Sequence, residues 1–261
     1  MSNLSLAVRD SSTMLRRNLL HARRYPSLTL NLLLTPVMLL LLFVYVFGDA
    51  MSAGIGGGDR SDYVAYLVPG LLLMTIGSTT IGTAVSVSND MTEGIIARFR
   101  TMAIHRGSVL VGHVIGSVVQ SIMSVVLVGA VGVAIGFRSS DATALEWLAA
   151  FGLLVLFTLA LTWIAVGMGL VSPNAEAASN NALPLIFLPL ISSAFVPIDS
   201  MPGWFQPIAE YQPFTPAIET LRGLLLGTGI GHNGWLALGW SLALTVLGYV
   251  WATSKFNSDP K

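Results

Sequence analysis

Along this chain apolar residues do not alternate with polar ones. They gather into six long uncharged stretches, at 28–47, 63–88, 109–137, 147–171, 182–198 and 235–252. Each is close to or longer than the roughly 17–25 residues with which a helix crosses the hydrocarbon of a bilayer. None shows the period-two alternation of a membrane β-strand, and a helix satisfies its own backbone in lipid. The pattern therefore predicts an all-α, polytopic membrane protein with six transmembrane helices, folded as one transmembrane domain over 1–261.

Three polar segments interrupt this pattern. The arm at 1–27 reads as an amphipathic helix from Asn3 to Tyr25, with Leu15 and Leu19 on one face and Arg16, Arg17, Arg23 and Arg24 around it. Pro26 stops it before the first stretch. Such a helix lies in the membrane interface, where Arg reaches anionic headgroups; an orientation signal or a partner-docking helix are the other readings. The segment 89–107 places Thr92 as a cap and Glu93 in the first turn of a short helix, with Ile95, Ile96, Phe99 and Met102 as its apolar side. A helix of this kind lies on a membrane or fills a groove of a soluble partner. The segment 199–229 carries Trp204, Phe205, Tyr211 and Phe214. A helix start follows, with Thr215 as N-cap and Pro216 at the first helical position, and Gly227 marks the end. It is too short and too broken by proline for two crossings. It predicts an interfacial or re-entrant pair of short helices, with the aromatic residues at headgroup level.

Within the stretches the polar residues are Ser, Thr, Asn and Gln. The second holds Thr75, Ser78, Thr79, Thr80, Thr83 and Ser86, interspersed with Gly70, Gly77 and Gly82. This small, weakly polar face suits close helix–helix packing. After packing, the second and compatible reading is one wall of a translocation path, for which Thr75, Ser78, Thr79, Thr83, Ser192 and Ser193 are the candidates. Charged residues fall in loops or at the ends of stretches, whereas ion-coupled carriers keep an ionisable group in the membrane. His113 is the nearest to such a group, and reads first as a packed or hydrogen-bonded interfacial histidine. In 182–198, Pro184, Pro189 and Pro197 withdraw backbone donors and favour kinks, so this stretch is expected to line a cavity or neighbouring helices instead of facing lipid.

Composition sharpens the picture. Apolar residues make up 54% of the 261 and charged residues only 10%, against roughly 25% charged in soluble domains. Thirteen Lys and Arg balance thirteen Asp and Glu, so no basic field draws nucleic acid. The cationic residues are unevenly placed. Arg9, Arg16, Arg17, Arg23, Arg24, Arg98, Arg100, Arg106, Lys255 and Lys261 fall on one predicted side, and Arg60, Arg138 and Arg222 on the other. The positive-inside rule then puts both termini in the cytoplasm. The 27 residues ahead of a 20-residue apolar run argue against a cleaved secretory signal. There is no Cys, hence no disulfide or thiolate chemistry. The lysines are Lys255 and Lys261, neither following the Gly-rich turn of a phosphate-binding loop. His21, His105, His113 and His232 are scattered, without zinc-type spacing, so neither a metal nor a catalytic site is expected. A lipid-modifying enzyme would have to draw on Asp199, Glu210, Glu219 and His232, whose spacing offers no support. A non-transporting membrane scaffold is the other alternative.

Four segments carry a resemblance. M-L-R-R-N-L-L-H-A-R-R-Y-P precedes the first stretch, T-P-V-M-L-L-L-L-F lies inside it, N-D-M-T-E-G-I-I-A-R-F-R-T-M-A-I precedes the third, and P-F-T-P-A-I-E-T-L-R-G-L-L-L-G precedes the sixth. Together they resemble permease subunits of ATP-binding-cassette exporters of the daunorubicin-resistance type. The resemblance implies six helices, an N-terminal interfacial helix and a re-entrant pair before the last. It implies a coupling helix within 90–106, with Glu93, Gly94, Ile95, Arg98 and Arg100 engaging a separate ATPase subunit. Ala103 stands where the family commonly has proline, a departure at the end of that helix. The implied function is export of a hydrophobic or amphipathic drug or lipid across the cytoplasmic membrane. The implied partners are two ATPase subunits, which bind the ATP and Mg, and a second permease, identical or homologous. No cofactor is implied on this chain.

Overall fold

The computed structural model describes residues 26–48, 60–93, 106–139 and 141–258, and among them every regular element is helical. Helix α1 spans Pro26–Tyr45, α2 Arg60–Thr92, α3 Arg106–Ala134, α4 Ala144–Val171 and α5 Ala175–Ala182. Then come α6 at Pro184–Leu190, a 3₁₀ turn at Ile198–Ser200, α7 at Gln206–Tyr211, α8 at Phe214–Leu226 and α9 at Asn233–Asn257. Among the described residues α2, α3 from Leu110, α4 and α9 are long and apolar enough to cross a membrane. Helix α1 is 20 residues long. The predicted interfacial helix at 1–25 lies outside the described residues.

Local chemistry sets the boundaries. At the start of α4 the Thr143 hydroxyl accepts from the Glu146 amide, while the Glu146 carboxylate accepts from the Thr143 amide at 2.6 Å, a reciprocal capping box. Asn174 caps α5 by accepting from the Ala177 amide at 2.8 Å. Gly227 ends α8 with φ +67°, and a Cβ there would sit 2.7 Å from the Asp141 carbonyl oxygen, so both backbone and space demand glycine.

Helix α2 is the axis of the molecule. Buried residues make up 78% of its most apolar window, against 22% in α9. It packs on α1, α3, α4, α5, α6 and α8. Its glycines allow close approach: a Cβ on Gly70 would lie 2.7 Å from Ala194, and one on Gly77 would overlap the Leu185 carbonyl. Gly169 of α4 sits against Ala84 and Val87 of α2. Between α4 and α9, Trp251 covers Gly167 and Trp163 covers Gly248, so these two helices run parallel. The larger apolar cluster surrounds Leu67, Leu71, Phe157, Phe214 and Ile218. A smaller one gathers Val87, Leu110, Val114, Trp163, Val166, Ala252 and Phe256, drawn from all four long helices.

Two sequence expectations need correction here. Residues 182–198 do not form one helix: α5 and α6 are eight and seven residues long, Leu183 separates them, and turns fill 191–197. Pro184 begins α6 and Pro189 sits in its last turn, where each removes an amide donor that a continuous helix would use. The broken segment still runs beside α2 in the opposite sense, with Leu185 at Gly77 and Ala194 at Gly70. Helix α2 also continues past Ser88 to Thr92, which brings Asp90 inside a helix instead of a loop.

Candidate functional site

The α2–α3 hairpin is joined by a ladder of polar contacts. Thr79 and Ser121 share a hydroxyl hydrogen bond of 2.6 Å, and the Thr83 hydroxyl donates to Ser117 at 2.7 Å. His113 Nε2 lies 2.9 Å from Asp90 Oδ2, with the histidine 4% and the aspartate side chain 11% exposed. His113, Ser117 and Ser121 recur every fourth residue and so share one face of α3. The ladder covers about 16 Å of α2 from Thr79 to Asp90, at ~1.5 Å per residue. Its last rung stands where the chain leaves α2 for the segment that returns as α3. Val87, Leu110 and Val114 of the smaller apolar cluster surround that rung in sequence and help to keep water from it. Among the described residues no third His, Asp or Glu joins the pair.

Of the coupling candidates, Glu93 is described. It is exposed and its amide donates to the Asn89 carbonyl at 2.9 Å, while the Thr92 hydroxyl donates to the same carbonyl at 3.0 Å. Gly94, Ile95, Arg98 and Arg100 lie outside the described residues.

The candidates for a substrate path are mostly buried and engaged. Thr75 donates to the Leu71 carbonyl at 2.7 Å and Ser78 to Met74 at 3.0 Å. Thr79 and Thr83 belong to the ladder. Ser192 donates to the Pro189 carbonyl at 2.5 Å, and the buried Ser193 hydroxyl has no partner. A cavity of about 290 Å³ does exist, between α2, α3 and α4, but its walls are apolar, with Leu72, Val125, Phe137, Trp147 and Leu154 among them. None of the six hydroxyl residues lines it.

At the other end of α2 a second polar knot forms. Arg222 of α8 is 9% exposed. It donates to the Tyr66 carbonyl at 3.1 Å and to the Ser193 carbonyl at 3.0 Å, pairs with Glu219, and lies 3.8 Å above the Tyr66 ring. The Tyr66 hydroxyl donates to the same Ser193 carbonyl at 2.9 Å. Thr215 is not the N-cap of α8, which starts one residue earlier and has no side-chain cap. Its hydroxyl instead donates to the Ala209 carbonyl at 2.5 Å and accepts from the Ser193 amide at 3.3 Å. Helices α7 and α8 are two short helices in succession, fastened to α2 and to the turn after α6. Glu219 is committed to Arg222, and Asp199, Glu210 and His232 do not converge with it on any three-residue cluster among the described residues.

His113 is conspicuous in the sequence, but its partner 23 residues away is not, nor are Ser117 and Ser121. The available signal was the four-residue spacing of 113, 117 and 121, opposite a Thr-rich stretch. Arg222 enters the sequence pattern only as a cation on the outer side, although Glu219 three residues before it on the same predicted helix offers a pair.

Comparison with known proteins covers most of the chain. Residues 10–226 match the family model described as ABC-2 type transporter. The daunorubicin resistance ABC transporter permease protein DrrB1 of Streptomyces coeruleorubidus is 28% identical over 226 residues, 85% of this chain and 77% of that protein. The putative transport permease ycf38 of Cyanophora paradoxa is 24% identical over 235 residues, 88% and 77% of the two chains. Nodulation protein J of Rhizobium meliloti is 22% identical over 213 residues, 74% of each.

Proposed function

The chain belongs to the ABC-2 type transporter family, as a multi-pass, non-catalytic membrane permease subunit, and from that premise we propose that it exports a hydrophobic or amphipathic molecule, drug or lipid, under the drive of a separate ATPase subunit. The observation that carries this reading is the span of the match, which includes both 90–106 and the α8 motif. Permeases of this family pair with ATPase subunits, so the lack of a phosphate-binding loop here fits a division of labour.

In this reading the chain crosses the cytoplasmic membrane six times. Helix α1, the four long helices and the broken passage of α5, α6 and the following turn are the crossings. Both termini face the cytoplasm, where most Lys and Arg lie. Helices α7 and α8 form the re-entrant pair on the outer side. Residues Glu93, Gly94, Ile95, Arg98 and Arg100 meet the ATPase, and a second permease completes the path. The relative named for daunorubicin resistance makes daunorubicin the first substrate to try.

The test is co-purification in mild detergent with the ATP-binding-cassette ATPase subunit, followed by ATP-dependent daunorubicin uptake into inverted vesicles. Wild type is expected to retain the ATPase. Glu93→Ala and Arg98→Ala are expected to lower the bound fraction or its turnover several-fold at unchanged permease level. A well-folded permease that retains no ATPase would overturn the reading. Bound ATPase without daunorubicin uptake would leave the exporter standing and move the substrate to a lipid, followed with a fluorescent phospholipid.

A further inference from the structure

In sequence α2 and α3 flank the residues proposed above to meet the ATPase, and the structure ties these two helices together near those ends. Asp90 sits three residues before Glu93, and His113 sits within the first turns of α3. Their contact of 2.9 Å is the buried bottom rung of the Thr79–Ser121, Thr83–Ser117 ladder. Beside it the smaller apolar cluster brings α4 and α9 to the same place through Trp163, Val166, Ala252 and Phe256. We infer that Asp90 and His113 are positioning residues: they clasp the two feet of the coupling segment, so that force delivered there moves α2 and α3 as one body. The inference rests on the coupling role proposed above for this segment.

The physical reason is the contrast between the rungs. A hydroxyl pair between helices in a membrane contributes little and would slip under load. A buried hydrogen bond to an ionised carboxylate is shorter and roughly twice as strong as a neutral one. Removing the Asp90 carboxylate leaves the buried His113 Nε2 without this bond. With the clasp intact, displacement of the segment reaches the centre of the molecule through α2. Without it, α2 and α3 splay locally and the displacement is spent between them.

The test uses the full chain co-reconstituted with the ATPase subunit in liposomes, with ATP hydrolysis as the readout. The nearly isosteric Asp90→Asn and His113→Gln are compared with wild type and with the exchanged pair Asp90→His/His113→Asp. The single changes are expected to leave the bound ATPase and its KM for ATP unchanged and to lower permease-stimulated kcat roughly tenfold, within the usual range of site-to-site coupling. The exchanged pair recovers most of that loss. A second measurement holds even where a variant assembles poorly. Because the chain has no Cys, nitroxides at Thr92→Cys and Val111→Cys report one distance across the hairpin. It is expected to be narrow in the wild-type background and broadened by Asp90→Asn. Single variants with wild-type kcat, a loss that the exchange does not recover, or an unbroadened distance would each overturn the inference while wild-type stimulation keeps the transporter reading intact. A wild-type chain that never engages the ATPase overturns both.

Discussion

A buried guanidinium destabilises a protein unless its donors are taken up, and Arg222 places its donors on two main-chain carbonyls and a carboxylate. Those carbonyls belong to Tyr66 of α2 and Ser193 of the turn after α6, so one side chain on α8 holds three elements. Arg222→Ala orphans them and is expected to cost about 2–4 kcal/mol, read as a lowered unfolding midpoint in detergent. Arg222→Lys should recover part of this, because an ammonium carries charge without the planar fork. Glu219→Gln should cost clearly less, since the Glu219 side chain is 30% exposed and water takes over its role. The E-T-L-R spacing of this knot was visible in the sequence. Its burial was not, because the partners are carbonyls at 66 and 193 that no side-chain pattern encodes.

Contact between elements in this fold is set by missing side chains. Gly77 lets the Leu185 carbonyl reach the α2 backbone, whereas a Cβ on Gly152 of α4 would meet nothing within 4 Å. Gly77→Ala is therefore expected to destabilise by roughly 1–3 kcal/mol and Gly152→Ala to stay within about 1 kcal/mol of wild type, measured by thermal unfolding in the same detergent. Hydropathy was enough to find α1, α2, α3, α4 and α9, whose apolar runs are long and uninterrupted. It failed at 182–198, where mean apolarity is high but Pro184 and Pro189 deny the backbone the donors of a continuous helix. It also stopped α2 at Ser88, because Asn89 and Asp90 look like a loop until His113 arrives from another helix. The ladder escaped for a related reason. Serines on a membrane helix look alike in sequence whether they face a partner or their own backbone, and only the register of α2 against α3 distinguishes them.

For the molecule as a whole, the uneven distribution of Lys and Arg makes a claim about sidedness that a cysteine-free chain can test cleanly. Ser200 and Ser258 are exposed, one in the 3₁₀ turn before α7 and the other just past α9. In intact cells a membrane-impermeant maleimide is expected to label Ser200→Cys, and Ser258→Cys only after permeabilisation; the reverse pattern would invert the topology and place 90–106 away from ATP. The position of α2 at the centre of this topology carries one more consequence, for biogenesis. Made before α4, α5, α6 and α8, α2 must wait in lipid for them. Its Thr75, Ser78 and Thr80 hydroxyls donate to carbonyls of the same helix, so these groups reach the bilayer already satisfied. The helix destined for the interior can thus leave the insertion machinery alone, and its assembly into the bundle need not be simultaneous with its entry into the membrane.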